Sequence, residues 1–145
     1  MRIAMRADYG ARAMTDLAIH AGQGPVQSAD IARRMAVPQV YLDQVMGGLR
    51  KAGLVRSTRG PQGGHELARP SETISLADIV LALEGPFNLL DCLDSVAACD
   101  LSDICSQRPV WTRVRTALDD VLRRVLLSEL AADMEEARER PAYSI

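Results

Sequence analysis

The chain has 145 residues, of which 48% are apolar and 25% charged, and this is the composition of a globular protein with one substantial core. Aromatic residues make up only 3%, so the core must be built from aliphatic side chains, which favours helices over a β-sandwich. No stretch approaches the roughly 20 apolar residues of a membrane span. Charged Asp8, Arg12 and Asp16 interrupt the segment that a signal peptide would keep apolar. We expect a cytoplasmic protein without membrane contact.

The net charge of −2 conceals two halves of opposite sign. Residues 1–70 carry ten Arg/Lys and five Asp/Glu, a net of +5, whereas residues 71–145 carry seven and fourteen, a net of −7. A basic half joined to an acidic half indicates that one end meets a polyanion, although chance clustering on a solvated surface gives the same counts.

Three helical patterns occupy the first third of the chain. Apolar residues four apart predict a helix over residues 2–21. Ser28 is predicted to cap a short second helix, and Pro38 begins a third helix that runs to about residue 52. Leu42 and Val45 repeat with the helical period and are expected to face the core.

A hairpin and two further helices follow. Two short strands around the Gly-rich run 58–64 predict a β-hairpin, and residues 76–83 predict a short helix. The segment 87–106 has turn residues and no clear period. Residues 108–138 predict one helix of some 40 Å. Its apolar stripe, with a period of 3.5 that suits helix-on-helix packing, is too long for a small domain to cover and predicts a partner subunit. The stripe is Trp111, Val114, Leu118, Val121 and Val125.

The order of short helix, turn, second helix and hairpin is that of a winged helix-turn-helix. The N-terminal half of its second helix must place polar side chains in the major groove, where Gln bonds adenine and an acidic residue accepts from cytosine. At the wing tip, Arg59 is predicted to enter a minor groove or hold a phosphate. The candidate contacts to double-stranded DNA are Ser28, Arg33, Arg34, Gln39, Tyr41, Asp43, Gln44, Arg50, Lys51, Arg56, Arg59, Gly60 and Gln62. The alternative is an interaction module in which these residues are solvated faces.

Cys92, Cys99 and Cys105 are the three cysteines, and they lie within fourteen residues. An odd count in a reducing compartment argues against a disulfide framework. Thiolates suit iron–sulfur clusters or zinc, and zinc usually wants closer cysteine pairs. Free thiols and a thiol redox switch remain alternatives. No Ser-His-Asp set and no phosphate-binding Gly loop before a helix is present, so we expect no enzyme.

Six segments together resemble the IscR/NsrR/RirA-type bacterial regulators of the Rrf-two superfamily, over nearly the whole chain. They are residues 8–10, 41–44, 49–55, 59–64, 76–80 and 84–85. The resemblance implies a homodimer held by the long C-terminal helix, and an iron–sulfur cluster bound through three cysteines just before that helix. Cys92, Cys99 and Cys105 match those positions. Asp8 matches the acidic ligand that some members supply from the other subunit, and His65 stands where an aromatic residue is usual.

These observations predict a mainly α fold with a small β-hairpin wing, as a winged helix-turn-helix plus a long C-terminal dimerisation helix. Residues 1–72 form the DNA-binding region, residues 73–106 the short helix and cysteine-bearing cluster loop, and residues 107–145 the dimerisation helix and tail. The predicted function is that of a homodimeric transcriptional repressor controlled by an iron–sulfur cluster. A four-iron cluster is favoured, and a two-iron cluster is the alternative. The cluster is predicted to sense redox, nitric oxide or iron status through a small signal molecule. The alternatives are a cluster-free transcription factor controlled by thiols or a partner, and a small electron carrier, which the basic half disfavours.

Overall fold

The computed structural model describes residues 3–140, and it is mainly helical with one two-stranded antiparallel hairpin, as the sequence predicts. The start of the first predicted helix at residue 2 and the tail over 141–145 lie outside these residues. In chain order the elements are α1 (Met5–Ile19), α2 (Ser28–Met35), α3 (Gln39–Lys51), β1 (Val55–Thr58), β2 (Gly64–Leu67), α4 (Leu76–Glu84), α5 (Arg108–Arg124) and α6 (Leu127–Glu139). Within residues 3–140, none of the helices combines the length and the apolar character of a membrane span.

One aliphatic core joins α1, α2, α3, α4 and α6. Met14 and Leu17 of α1 are buried against the inner faces of the next helices, and Leu42 and Val45 of α3 are at most 1% exposed. The prediction that these two α3 residues face the core is therefore confirmed. Because the buried stripe of α3 occupies one side, its polar residues are left on the surface.

Two glycines, one on α1 and one on α3, let α4 approach these helices closely. A Cβ atom on Gly10 would collide with Leu83 Cδ1, and one on Gly48 would lie 2.9 Å from Leu83 Cδ2. Glycine at position 48 weakens the helix by about 1 kcal/mol relative to alanine, but it allows Leu83 to pack closely against α3. Nothing lies within 4 Å of a Cβ placed on Gly47, and the structure gives no reason for that glycine.

The segment predicted as one helix over residues 108–138 is two helices, which corrects the expected length. Val125 and Leu126 are extended, and the backbone there bonds to the residues at the start of α4: Leu76 N donates to Val125 O (2.9 Å) and Leu127 N to Ile74 O (2.8 Å). Leu127 is fully buried. Tertiary hydrogen bonds and burial thus interrupt the helix at these two residues, and α6 packs on α1. The other helix, α5, packs on α4, and none of its residues is buried.

The loop between α4 and α5 carries the cysteines and is built from turns. Short 3-10 turns span Asp91–Leu93 and Val96–Ala98. Leu93 is buried, and buried Ser102 donates from Oγ to the carbonyl oxygen of Val96 at 2.8 Å. These contacts anchor the loop while leaving most of its length on the surface.

Candidate DNA-binding surface and cysteine loop

The exposed face of α3 carries the four polar residues that the sequence places in a DNA groove. Gln39, Tyr41, Asp43 and Gln44 are all exposed. Gln39 Nε2 donates to Asp43 Oδ1 at 3.0 Å, so the two side chains are held together at the start of the helix. Their contacts to DNA stay predictions, and the structure supplies the accessible helix face that such contacts require.

Val40 is a residue of this face that sequence reasoning missed. Its side chain is 70% exposed in the first turn of α3, although valine is usually buried. If the polar groups of this face enter a DNA groove as predicted, an apolar side chain among them is suited to contact with a thymine methyl group. Its position outside the apolar stripe of Leu42 and Val45 is the sequence signal that could have found it.

The wing is a tight loop between β1 and β2. Arg59, Gly60 and Gln62 are exposed at its tip. Gly60 has a φ of +107°, a conformation that favours glycine, and a Cβ on Gly63 would collide with the carbonyl oxygen of Thr58. The glycines therefore permit the turn that presents Arg59.

The basic candidates differ in their surroundings. Arg50, Lys51 and Arg56 are exposed, and Arg33 makes an exposed pair with Asp30 (3.1 Å). Such pairs contribute at most about 1 kcal/mol and release readily to a phosphate. These four cations remain predicted phosphate contacts; Arg33 is the only one of them in a salt bridge within the described chain.

Arg34 has a structural role instead. Its Nε and Nη2 donate to Asp16 Oδ1 and Oδ2 at 2.9 and 2.8 Å, and the Asp16 side chain is fully buried. The hydrogen bond to Asp16 raises the pKa of Arg34 above its ordinary value. Because this bidentate pair joins α2 to α1 in the core, we leave Arg34 out of the DNA surface.

Ser28 is not the side-chain cap that the sequence predicts. Gln27 takes the cap position of α2 and makes no side-chain cap bond, and Ser28 is the first helical residue. Its hydroxyl lies 2.8 Å from His65 Nε2 of the wing. Ser28 is therefore engaged in a contact between the wing and the helix-turn-helix.

The cysteine thiols are all free, with Cys99 exposed and Cys92 and Cys105 half-buried. Three soft donors on one irregular loop fit an iron–sulfur cluster in chemistry. Within residues 3–140 of one protomer, however, no three His, Cys, Asp or Glu side chains are grouped to hold a metal ion. Large apolar side chains of the loop are also exposed, with Ile104, beside Cys105, 81% exposed. The three thiols thus lie on one loop, but in a single protomer they do not converge on a common metal position.

Asp8, the fourth candidate ligand, lies on α1 and pairs with Arg12, Oδ2 to Nη2 at 2.8 Å. Both side chains are about two-fifths exposed, at 42% and 39%, so this pair is weak and its release costs little. The ring of the next residue, Tyr9, contacts that of Tyr41 on α3, with centroids 6.1 Å apart and the rings tilted by 41°. Asp8 is therefore adjacent in sequence to a residue that contacts α3.

The cysteine loop is joined to α5 by one ion pair. Arg115 Nη1 donates to Asp94 Oδ1 at 2.7 Å, and Asp94 stands between Cys92 and Cys99. Among the salt bridges of the described chain, no other involves the loop over residues 87–107. The loop therefore contacts α5 through a partly exposed ion pair.

Comparisons with known proteins agree on one family. The family model described as Rrf2, iron-dependent transcriptional regulator, matches residues 3–133. The HTH-type transcriptional regulator IscR of Vibrio cholerae is 35% identical over 135 residues, covering 93% of this chain and 78% of that protein. The solved structure of T. potens IscR has 36% identity and a TM-score of 0.79, covering 99% of this chain and 95% of that one.

CymR (YrzC), the global cysteine regulator of B. subtilis, has 32% identity and a TM-score of 0.74, covering 92% of this chain and 98% of that one. These relatives are transcriptional regulators rather than enzymes. The wing, the exposed face of α3 and the match over nearly the whole chain place this protein in the Rrf2 family of DNA-binding transcriptional regulators.

Proposed function

We propose that this regulator acts as a homodimer whose affinity for its operator is set by an iron–sulfur cluster held on the loop of Cys92, Cys99 and Cys105. The observation that carries the proposal is the placement of three free thiols on a surface loop directly before α5. When bound, such a cluster supplies a redox-active and ligand-reactive iron centre. To receive it, the loop must close so that the three thiols converge.

The homodimer is supported by the exposed apolar side of α5. None of its 17 residues is buried, and Trp111 and Val121 are 39% and 62% exposed. A 3.5-residue apolar stripe on a helix without buried residues suits packing against the same helix of a second copy. The same contact would place two helix-turn-helix units for the two half-sites of an operator.

Asp8 of the partner subunit is the proposed fourth ligand. An oxygen ligand binds iron less tightly than a thiolate, so a small signal molecule can displace it. Within its own protomer Asp8 pairs with Arg12 and is followed by Tyr9, which contacts Tyr41, so that release of Asp8 from iron would occur next to α3. Asp94 and Arg115 link a movement of the cysteine loop to α5. Signal, dimer and DNA-facing helix are thereby joined through this chain's own contacts.

Single replacement of Cys92, Cys99 or Cys105 by alanine is expected to abolish the cluster, because each removes one of only three soft ligands. Asp8→Ala should leave a cluster that assembles with an altered spectrum or stability. Iron and acid-labile sulfide analysis with visible spectra of protein purified without oxygen measures both effects. An Asp8→Ala protein with the wild-type spectrum, reactivity and DNA response would remove Asp8 from the ligand set. If the triple cysteine variant retained its iron, the assignment of an iron–sulfur cluster to these cysteines would be refuted.

Arg59→Ala is expected to weaken operator binding by about 1–3 kcal/mol if the wing reads a base. If Arg59 holds only a phosphate, affinity should fall equally for all duplexes and the salt slope should decrease by about 1. Binding curves at several salt concentrations distinguish the two. Arg69→Ala is a matched control, since Arg69 is exposed near the wing but pairs with Asp78 of α4 at 3.3 Å. If Arg59→Ala bound every duplex with unchanged affinity, the predicted contact between the wing tip and DNA would be refuted.

A cluster-free regulator controlled by its thiols is the second candidate. It is favoured by the cysteines that no described side chains gather into a metal site, and by a relative of the same fold named as a cysteine regulator. An exposed Cys99 is accessible to oxidation. Such a protein would be colourless and iron-free when purified without oxygen, and its DNA affinity would still respond to thiol oxidation.

A further inference from the structure

His65 connects three elements of the DNA-binding region through its ring. It lies on β2, with Nε2 2.8 Å from the hydroxyl of Ser28 on α2 and Nδ1 2.7 Å from the hydroxyl of Ser57 on β1. Both ring nitrogens therefore have hydroxyl partners on different elements. Two directional bonds to a planar ring fix both its position and its rotation.

The backbone at the same point ties the wing to the residues that enter α2. Val26 N donates to His65 O at 2.9 Å, and His65 N donates to Val26 O at 2.8 Å. Gly64 approaches the backbone of Val26 so closely that a side chain would collide with it. Gln27 Nε2 also donates to the carbonyl oxygen of Pro61 in the wing loop at 3.2 Å. These bonds attach one end of the hairpin to the helix-turn-helix.

The hairpin needs such an attachment because two strands alone are marginally stable in water. The helices α2 and α3 form one unit through the buried side chains of Ile31, Met35 and Val37. The wing has four residues in each strand. The strands also pack on the core through Val55 of β1 and Leu67 of β2. The angle of the wing to α3 is therefore set by these apolar contacts together with the bonds to the segment 26–28 and the ring of His65.

We infer that His65 is the positioning residue that holds the wing at one angle to α3, so that Arg59 and the exposed α3 side chains engage DNA together. The inference rests on the proposed contact of the wing tip with DNA. It assigns Ser28 and Ser57 the role of orienting the imidazole.

The charge state of the ring is consistent with this role. Burial lowers the pKa of His65 below its ordinary value; of the charged groups facing it from α3, Asp43 acts to raise the pKa and Arg50 to lower it. The ring is therefore neutral at pH 7, with one nitrogen donating and the other accepting. One serine must then accept and the other donate, which makes the arrangement directional.

His65→Phe tests the inference, because it keeps a planar ring and removes both hydrogen bonds. The probes are a duplex enriched from a random pool by the wild-type protein and a scrambled duplex of the same length. We expect affinity for the enriched duplex to fall about tenfold, with affinity for the scrambled duplex unchanged, since no charge is lost. His20→Phe is the control: His20 bonds through Nδ1 to the carbonyl oxygen of Asp16 within α1, and it should keep wild-type discrimination.

A double-mutant cycle with Arg59→Ala separates positioning from simple loss of stability. If His65 places the wing, Arg59→Ala should cost markedly less in the His65→Phe background than in the wild type. Should His65→Phe fail to fold, Ser28→Ala and Ser57→Ala each remove one bond and are expected to lower specific affinity about threefold, with the same coupling.

Equal costs of Arg59→Ala in both backgrounds, or wild-type discrimination by His65→Phe, would overturn the role of His65 while leaving the wing on DNA. No effect of Arg59→Ala on any duplex would overturn both the inference and the placement of the wing.

Discussion

Leu118→Glu combined with Val121→Glu is expected to give a monomer that has lost most of its affinity for DNA. The two side chains lie on the apolar side of α5, where Val121 is 62% exposed and Leu118 half-buried. Two carboxylates cannot be buried there without partners. Because a monomer can bind only one half-site at a time, the second half-site would no longer be bound by a linked subunit. Operator affinity should therefore fall by about 100-fold or more. Size-exclusion chromatography with light scattering and DNA binding measures both results.

A control with the same added charge is available on the other side of the helix. Thr112 and Thr116 are exposed, and their hydroxyls bond only to carbonyl oxygens of α5 itself, at 2.9 and 3.0 Å. Thr112→Glu with Thr116→Glu should remain a dimer. If the Leu118 and Val121 double variant elutes as a dimer, α5 is not the interface.

Arg34→Met should lower the free energy of unfolding by about 3 kcal/mol, toward the lower end of the cost of breaking a buried ion pair. The substitution leaves the fully buried carboxylate of Asp16 without its bidentate donor, while the methionine keeps much of the side-chain volume. Urea unfolding at fixed protomer concentration measures the change, since dimerisation makes stability depend on concentration.

The neighbouring arginine is the matched control. Arg33 pairs with Asp30 across an exposed surface, with side chains 73% and 48% exposed. Arg33→Met should therefore change stability by less than about 1 kcal/mol, while reducing the salt slope of DNA binding if it meets a phosphate. Equal stability of the two variants would contradict the structural role given to Arg34.

The sequence predicts the helix-turn-helix and wing because local signals agree there. The apolar period of α3 places Leu42 and Val45 inward, and the glycines from 60 to 64 specify a tight turn. The division of the C-terminal segment was missed because Val125, Leu126 and Leu127 continue the apolar stripe without Gly or Pro. Glu129, whose carboxylate accepts from Leu126 N at 2.9 Å, is the one local sign of a new helix start.

The periodicity of apolar residues does not predict hydrogen bonds between side chains that are far apart in the sequence. Arg34 and Asp16 are 18 residues apart, and Ser28 and His65 are 37 apart. A pattern shows that an arginine lies on a polar face, but only the packing of α2 on α1 reveals that its guanidinium bonds a buried carboxylate. The cysteines present the reverse case: their spacing and family match suggest a shared ligand role, while the protomer leaves them ungathered.

The most direct measurement compares operator affinity of protein purified without oxygen before and after its iron is removed with a chelator. It is made at one salt concentration on the wild type and on the triple variant Cys92→Ala, Cys99→Ala, Cys105→Ala. The account predicts that removal of iron changes the wild-type affinity by about tenfold or more, within the usual range of coupling between two sites, and leaves the variant unchanged. A wild-type protein that contains no iron and sulfide, or that binds DNA equally with and without them, would contradict it.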